Sequence, residues 1–169
     1  AGVFALPIAV ALVAPWIANR WQNKQRDSQT KTQLVADISD LVMTTIMTVI
    51  LFKDGYLTKG DSSSPEDELR RVYKEWTVRT CVIGSKLHAY FPDKKKGNYQ
   101  LHIQWDNFSK RVKKYYEDVT AHGSQLTAAQ IDAGKEDLFK RKARIIDETL
   151  ASKITGFRRA NFFLTRLKV

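Results

Sequence analysis

The chain has a single cysteine, Cys81, among 169 residues, so it can form no internal disulfide and build no multi-cysteine metal site. Histidine is almost as scarce. None of His88, His102 and His122 stands in a Glu-x-x-His or His-Glu-x-x-His spacing, so neither a carboxylate-bridged di-metal bundle nor a zinc-protease helix is encoded. The eight glycines are scattered, with no Gly-x-x-x-x-Gly-Lys and no Gly-x-Gly-x-x-Gly, which leaves phosphate cradling by a glycine-rich loop without support. Runs that alternate apolar and polar residues at strand length are also missing, so a β fold has no sequence basis. Acid is absent from the first 26 residues and from residues 156–169.

What is present is basic charge. The formal net charge is +10, which implies an anionic partner, either an acidic membrane surface or a nucleic acid.

Residues 1–18 carry no charge at all. As a helix they span roughly 27 Å, close to the roughly 30 Å hydrocarbon core of a bilayer. Pro7 and Pro15 are tolerated better in a membrane helix than in a soluble one and suggest a kink or a tilt. Trp16 and Trp21 stand where an aromatic interface belt belongs, and Arg20, Lys24 and Arg26 follow at once. By the positive-inside rule that flank is cytoplasmic, giving a single-pass anchor with its N-terminus outside. "ALVA" at residues 11–14 also resembles a secretory cleavage site, but Pro15 would then follow the cut directly, an unfavourable context.

Residues 19–33 are almost wholly polar and read as a juxtamembrane stalk. Beyond them, apolar positions recur at three- and four-residue spacing in four stretches. The first runs to Phe52 with Leu34, Val35, Ile38, Leu41, Val42, Ile46, Val49 and Ile50. The second carries Leu69, Val72, Trp76, Ile83, Leu87 and Tyr90, and Ser64, Pro65, Glu66 and Asp67 supply its cap, first-position proline and first-turn acid. The third carries Trp105, Phe108, Val112, Tyr115 and Val119. In the fourth, Thr127 and Gln130 form a capping box ahead of Ile131, Leu138, Ile146, Leu150, Ile154 and Phe157.

The expected architecture is therefore all-α: a transmembrane helix at 1–18, a stalk at 19–33, an antiparallel up-down-up-down four-helix bundle at 34–156, and a basic amphipathic segment at 157–169. Its core is expected from Trp76, Ile83, Leu87, Trp105, Phe108, Val112 and Leu150. In that topology the second and fourth helices end near the membrane. Lys94, Lys95 and Lys96 sit at one of those ends, and Arg158, Arg159, Arg166 and Lys168 at the other. With Arg20, Lys24 and Arg26 they would form one basic collar facing anionic lipid.

Two pairs, His102 with Asp106 and Asp118 with His122, are spaced four residues apart and read as surface ion pairs. Cys81, beside Val82 and Ile83, reads as a small buried hydrophobe. "SKRVKKYYEDV" and "KEDLFKRKAR" interleave cations with apolar residues, and their cations read as solvated outer faces. Val78, Val82, Tyr116 and Phe139 lie off the main stripes and suggest a second interface.

No catalytic residue, metal or cofactor is expected. The expected partners are the bilayer, with anionic lipids, and further copies of the chain or another membrane protein. The expected role is non-catalytic self-assembly at the membrane, as a scaffold or a pore-like effector. Alternatives are a membrane-tethered nucleic-acid or nucleotide-sensing module, and an enzyme whose site forms between subunits.

Overall fold

Capping and stripe spacing translate directly into helices. The computed structural model describes residues 5–55, 64–91, 101–122, 125–152 and 154, with the side chains of all of these except 5–14, 16 and 122. Four helices occupy them: α1 (Ala5–Lys53), α2 (Pro65–Tyr90), α3 (Leu101–His122) and α4 (Ala128–Ala151). The chain divides into two compact units, Ala1–Gln33 and Leu34–Val169.

In the first unit, α1 is helical from Ala5 and continues through Pro15 without a break in assignment. Pro15 lacks the N–H that would serve the carbonyl four residues earlier. Trp21 is 74% exposed, and Arg20, Lys24 and Arg26 are exposed as well. Asn23 donates to Asn19 Oδ1 across one turn.

In the second unit, α2 and α4 begin as their sequences dictate. Ser64 Oγ accepts from the Asp67 backbone N–H at 3.2 Å while Asp67 accepts back from Ser64, with Pro65 at the first helical position. Thr127 and Gln130 form the same reciprocal box, at 3.3 and 2.8 Å. Each box satisfies two N–H groups that the helix itself leaves unpaired.

The core draws on all four helices. Leu34, Ile38, Leu41, Val42, Ile46 and Val49 from α1 meet Leu69, Trp76, Ile83 and Leu87 from α2, Leu101, Trp105, Phe108, Val112, Tyr115 and Val119 from α3, and Ile131, Leu138 and Ile145 from α4. Two expectations need correcting. Leu150 is not in the core: it is 48% exposed, and Ile145 and Thr149 are buried in its place. Ile131, Leu138 and Ile145 are spaced by sevens, and continuing that seam by four reaches Thr149, whereas Leu150 lies one further residue, about 100°, round the helix. Thr149 tolerates burial because its hydroxyl donates to the Ile145 carbonyl at 2.7 Å. Tyr116 and Phe139 are not exposed either. Both pack against the core, and Tyr116 stacks on Tyr73 with ring centroids 4.4 Å apart.

Trp105 sets the fit of α3 on α2. Its indole Nε1 donates to the Thr80 carbonyl at 3.0 Å, and its ring packs against Trp76, at 6.2 Å, and Phe108, at 5.6 Å. Gly84 lies beside the indole, where a Cβ would stand in ordinary contact with Trp105 Cδ1 at 3.5 Å. Trp105 thus fills the α2 flank that Gly84 leaves bare. The other contacts of these helices step in opposite directions: Tyr73 with Tyr116, Thr80 with Trp105, and His88 with His102. On the neighbouring flank Arg79 reaches Asp40, and Lys86 reaches Asp37, each at 2.8 Å.

Tyr115 sits where α3 meets α4, against Gly134. A Cβ on Gly134 would come within 3.0 Å of the Tyr115 ring, so glycine is what permits the contact. The phenol is buried, and its hydroxyl has no hydrogen-bond partner among the described residues. Burial, reinforced by the negative charges of Asp132 and Asp54, pushes Tyr115 up to about 12.

Trp105→Ala should cost about 3–5 kcal/mol, as aromatic truncations in cores do, and lower Tm sharply. Lys113→Ala, on an exposed position of the same helix, should not; equal small effects from the two would contradict the packing. Tyr115 adds a pH dependence. Below its ordinary value of 10.0 both folded and unfolded states keep the proton, and above it the unfolded state loses the proton first. Stability is therefore lost between about pH 10 and 12, by about 2–3 kcal/mol for a two-unit rise. Tyr115→Phe should flatten that alkaline limb in denaturant melts without lowering stability at neutral pH, since the hydroxyl it removes is unpaired.

Candidate functional site

Ionisable groups on the described surface are mostly engaged within their own helices. Arg71 pairs with Glu68 at 2.6 Å, Lys140 with Glu136 at 2.8 Å, and Lys135 with Asp132 at 2.7 Å. These pairs hold each carboxyl below its ordinary range, in each case mainly through the hydrogen bond from the cation. Exposed i, i+3 and i, i+4 pairs of this kind contribute little to stability.

The groove between α3 and α4 differs. Residues 109–115 and 138–146 contain no acid, and the fold sets these two runs side by side. A recess of about 180 Å³ opens between the helices, lined by Gln104, Asn107, Phe108, Arg111, Arg141, Arg144 and Ile145. Phe108 and Ile145 are core residues whose edges form its floor. The recess widens into a shelf that shares Asn107, Arg111 and Arg141 and adds Lys110 and Lys114.

Carboxylates stand only at the margins of this groove. Asp137 Oδ2 accepts from Arg141 Nε at 2.7 Å, and Glu148 Oε1 accepts from Arg144 Nε at 3.0 Å, its other oxygen taking the Gln104 amide at 2.5 Å. Lys110 pairs with Asp106 at 2.8 Å. Among the described residues, no carboxylate forms a salt bridge with Arg111 or Lys114. Asp137 is held below the usual carboxylate range, first by the Arg141 hydrogen bond, then, against some desolvation, by the charges of Arg141, Arg111 and Lys140. The Arg141 pair engages Nε, so Asp137 does not consume the terminal nitrogens of that guanidinium.

The cations of "SKRVKKYYEDV" and Lys140, Arg141 and Arg144 of "KEDLFKRKAR" are exposed, as expected, whereas Lys135 and Lys142 are half-buried, and the exposed ones are not all on separate outer faces. Arg111 and Arg141 line one groove. Gln104 and Asn107, which complete it, had no signal in the sequence beyond their spacing on the flank of the α3 stripe.

The remaining candidates resolve one by one. Trp76, Ile83, Leu87, Trp105, Phe108 and Val112 are all buried. Cys81 is exposed rather than buried, because it lies well over a third of a turn away from the Trp76–Ile83–Leu87 stripe. The His102 ring meets His88 edge-on at 4.9 Å, while Asp106 pairs with Lys110. No cluster of three or more His, Cys, Asp or Glu side chains able to hold a metal occurs among the described residues. Lys94, Lys95, Lys96, Arg158, Arg159, Arg166 and Lys168 lie outside the described residues, as do the side chains of Trp16 and His122.

α1 is, among the described residues, the one helix long and apolar enough to cross a membrane, from Ile17 to Lys53. Its most apolar part there, residues 34–51, is also the part that supplies Leu34, Ile38, Leu41, Val42, Ile46 and Val49 to the core. The uncharged run at 1–18 precedes it. Comparison with protein-family models, with curated proteins and with solved structures gives no match for this chain.

Proposed function

We propose that this protein is a single-pass membrane protein, anchored by residues 1–18 with its N-terminus outside, whose cytoplasmic helical unit acts by assembly rather than by chemistry. The observation that carries this is the opening run: uncharged, close to bilayer length, helical from Ala5, and followed by exposed Trp21, Arg20, Lys24 and Arg26. The apolar stretch at 34–51 is assigned to the bundle instead, since its stripe is core.

An antiparallel up-down-up-down order is supported by the opposed stepping of the α2 and α3 contacts and by α3–α4 pairs that run from Gln104 with Glu148 to Tyr115 with Gly134. In that order Lys94, Lys95, Lys96, Arg158, Arg159, Arg166 and Lys168 would fall near the bilayer. Each would contribute about 1 kcal/mol on an anionic surface.

Assembly is supported by apolar side chains that the unit leaves uncovered. Met43, Met47 and Leu51 follow one another at four-residue steps along α1, while Val78 and Val82 do so on α2. Such stripes on a helical unit fit contacts with further copies or with another membrane protein. A second reading, a membrane-tethered nucleic-acid or nucleotide-sensing module, is favoured by the α3–α4 groove alone.

The full chain should sediment with membranes and resist extraction by high salt, whereas a chain lacking Ala1–Ala18 should remain in the soluble fraction. Membrane retention of the shortened chain in high salt would contradict the anchor. The detergent-solubilised particle should have a protein mass that is a multiple of the 19.4 kDa chain, and a monomer would contradict assembly.

A further inference from the structure

The α3–α4 groove combines three kinds of group that one ligand class uses together. The floor is apolar and narrow, formed by the edges of Phe108 and Ile145. Planar guanidinium groups flank it, from Arg111 on α3 and from Arg141 and Arg144 on α4. Asn107 stands at its edge with an exposed amide, which can both donate and accept. Beyond the recess lies a shelf that adds Lys114 and Lys110, the latter paired with Asp106 at 2.8 Å.

A phosphate alone would use the shelf and leave the recess empty. A purely apolar ligand would use the floor and leave Arg111 and Lys114, which no carboxylate among the described residues pairs, unanswered. A planar ring joined to phosphate uses both. Guanidinium planes stack on such rings, amides bond their edges, and fork-shaped donors suit phosphate oxygens.

We propose that the α3–α4 groove is a nucleotide-binding site, with the base seated over Phe108 and Ile145 between Arg111 and Arg141 and the phosphates on Arg111, Lys110 and Lys114. The placement follows the dimensions: Gln104 to Lys114 covers about 15 Å of α3, the length of a nucleotide rather than of a long polymer. Arg111 occupies the junction and serves both halves. Asp137 engages Arg141 through Nε, so that pair does not use its terminal nitrogens. The site belongs to the second unit alone and does not depend on where the first unit resides.

The test uses the full chain in detergent, titrated with ATP, with inorganic triphosphate, and with a single-stranded oligouridylate, each at low and moderate salt. ATP should bind, and triphosphate should bind about tenfold or more weakly, because it lacks the ring that base-stacking contacts engage. Arg111→Ala and Arg141→Ala should each weaken ATP binding about tenfold or more, as loss of a charge-assisted contact does. Lys74→Ala, an exposed cation on α2, is the charge-matched control and should leave binding unchanged. Thermal melts of each variant separate lost binding from lost folding, and Arg111→Lys, which keeps the charge without the planar fork, should restore only part of the affinity if Arg111→Ala folds poorly. Equal affinity for triphosphate and ATP would overturn the proposal. So would an equal loss in the Lys74→Ala control, or absence of ATP binding at millimolar concentration. Steeply salt-dependent binding of the oligouridylate without ATP binding would overturn it in favour of a polynucleotide surface.

Discussion

A buried indole must find an acceptor for its N–H, and in this protein the solution to that requirement organises the second unit. Trp105 reaches across to the Thr80 carbonyl at 3.0 Å, alongside Gly84 of α2. Trp76 and Phe108 pack against the ring. A directional bond fixes what apolar packing alone leaves free to slide, namely the axial register of two helices whose stripes repeat every three or four residues. With α3 held on α2, its adjoining flank presents Phe108, Arg111 and Tyr115 to α4. Gly134 accepts the Tyr115 ring there, so two glycines on two helices receive two aromatic rings from α3.

The groove between α3 and α4 lies on that adjoining flank. Arg111 and Arg141 line it together, Gln104 reaches Glu148, and Tyr115 packs against Gly134. The acids of both helices fall at the ends of the acid-free runs and not within them. The arrangement concentrates positive potential over a small apolar floor while Asp137 and Glu148 hold two of the arginines in place. On the α1 and α2 side the uncovered groups are Met43, Met47, Leu51, Val78 and Val82. The second unit thus carries a cationic surface and apolar stripes on different helices, and the two suit different kinds of partner.

Much of this was legible in the sequence, for reasons that are local. Helix boundaries followed from Ser64 with Asp67 and Thr127 with Gln130, whose capping bonds span three residues. The α3 stripe, Trp105 to Val119, was read without error because its spacing never departs from three or four. The fourth helix was harder. Ile145 and Ile146 are adjacent and equally apolar, and extending the stripe from Ile146 led to Leu150, while the structure continues from Ile145 to Thr149, a residue whose burial depends on a hydroxyl bond to its own helix. Cys81 was misplaced by its neighbours: Ile83 is buried, but Val82 and Cys81 are not. The groove could not be read at all from one strand of sequence, since it joins residues about thirty positions apart whose pairing is set by Trp105, Tyr115 and Gly134.

The proposed anchor at residues 1–18 has the largest consequence for function, because an uncharged run of that length beside Arg20, Lys24 and Arg26 fits a membrane span and a direction across it. Cys81 supplies the probe: it is the sole cysteine, it lies on the helical unit, and it is exposed. A membrane-impermeant maleimide applied to intact cells expressing the full chain should leave Cys81 unlabelled and should label it once the membrane is permeabilised. Labelling in intact cells, equal to that after permeabilisation, would place the helical unit outside and contradict the account.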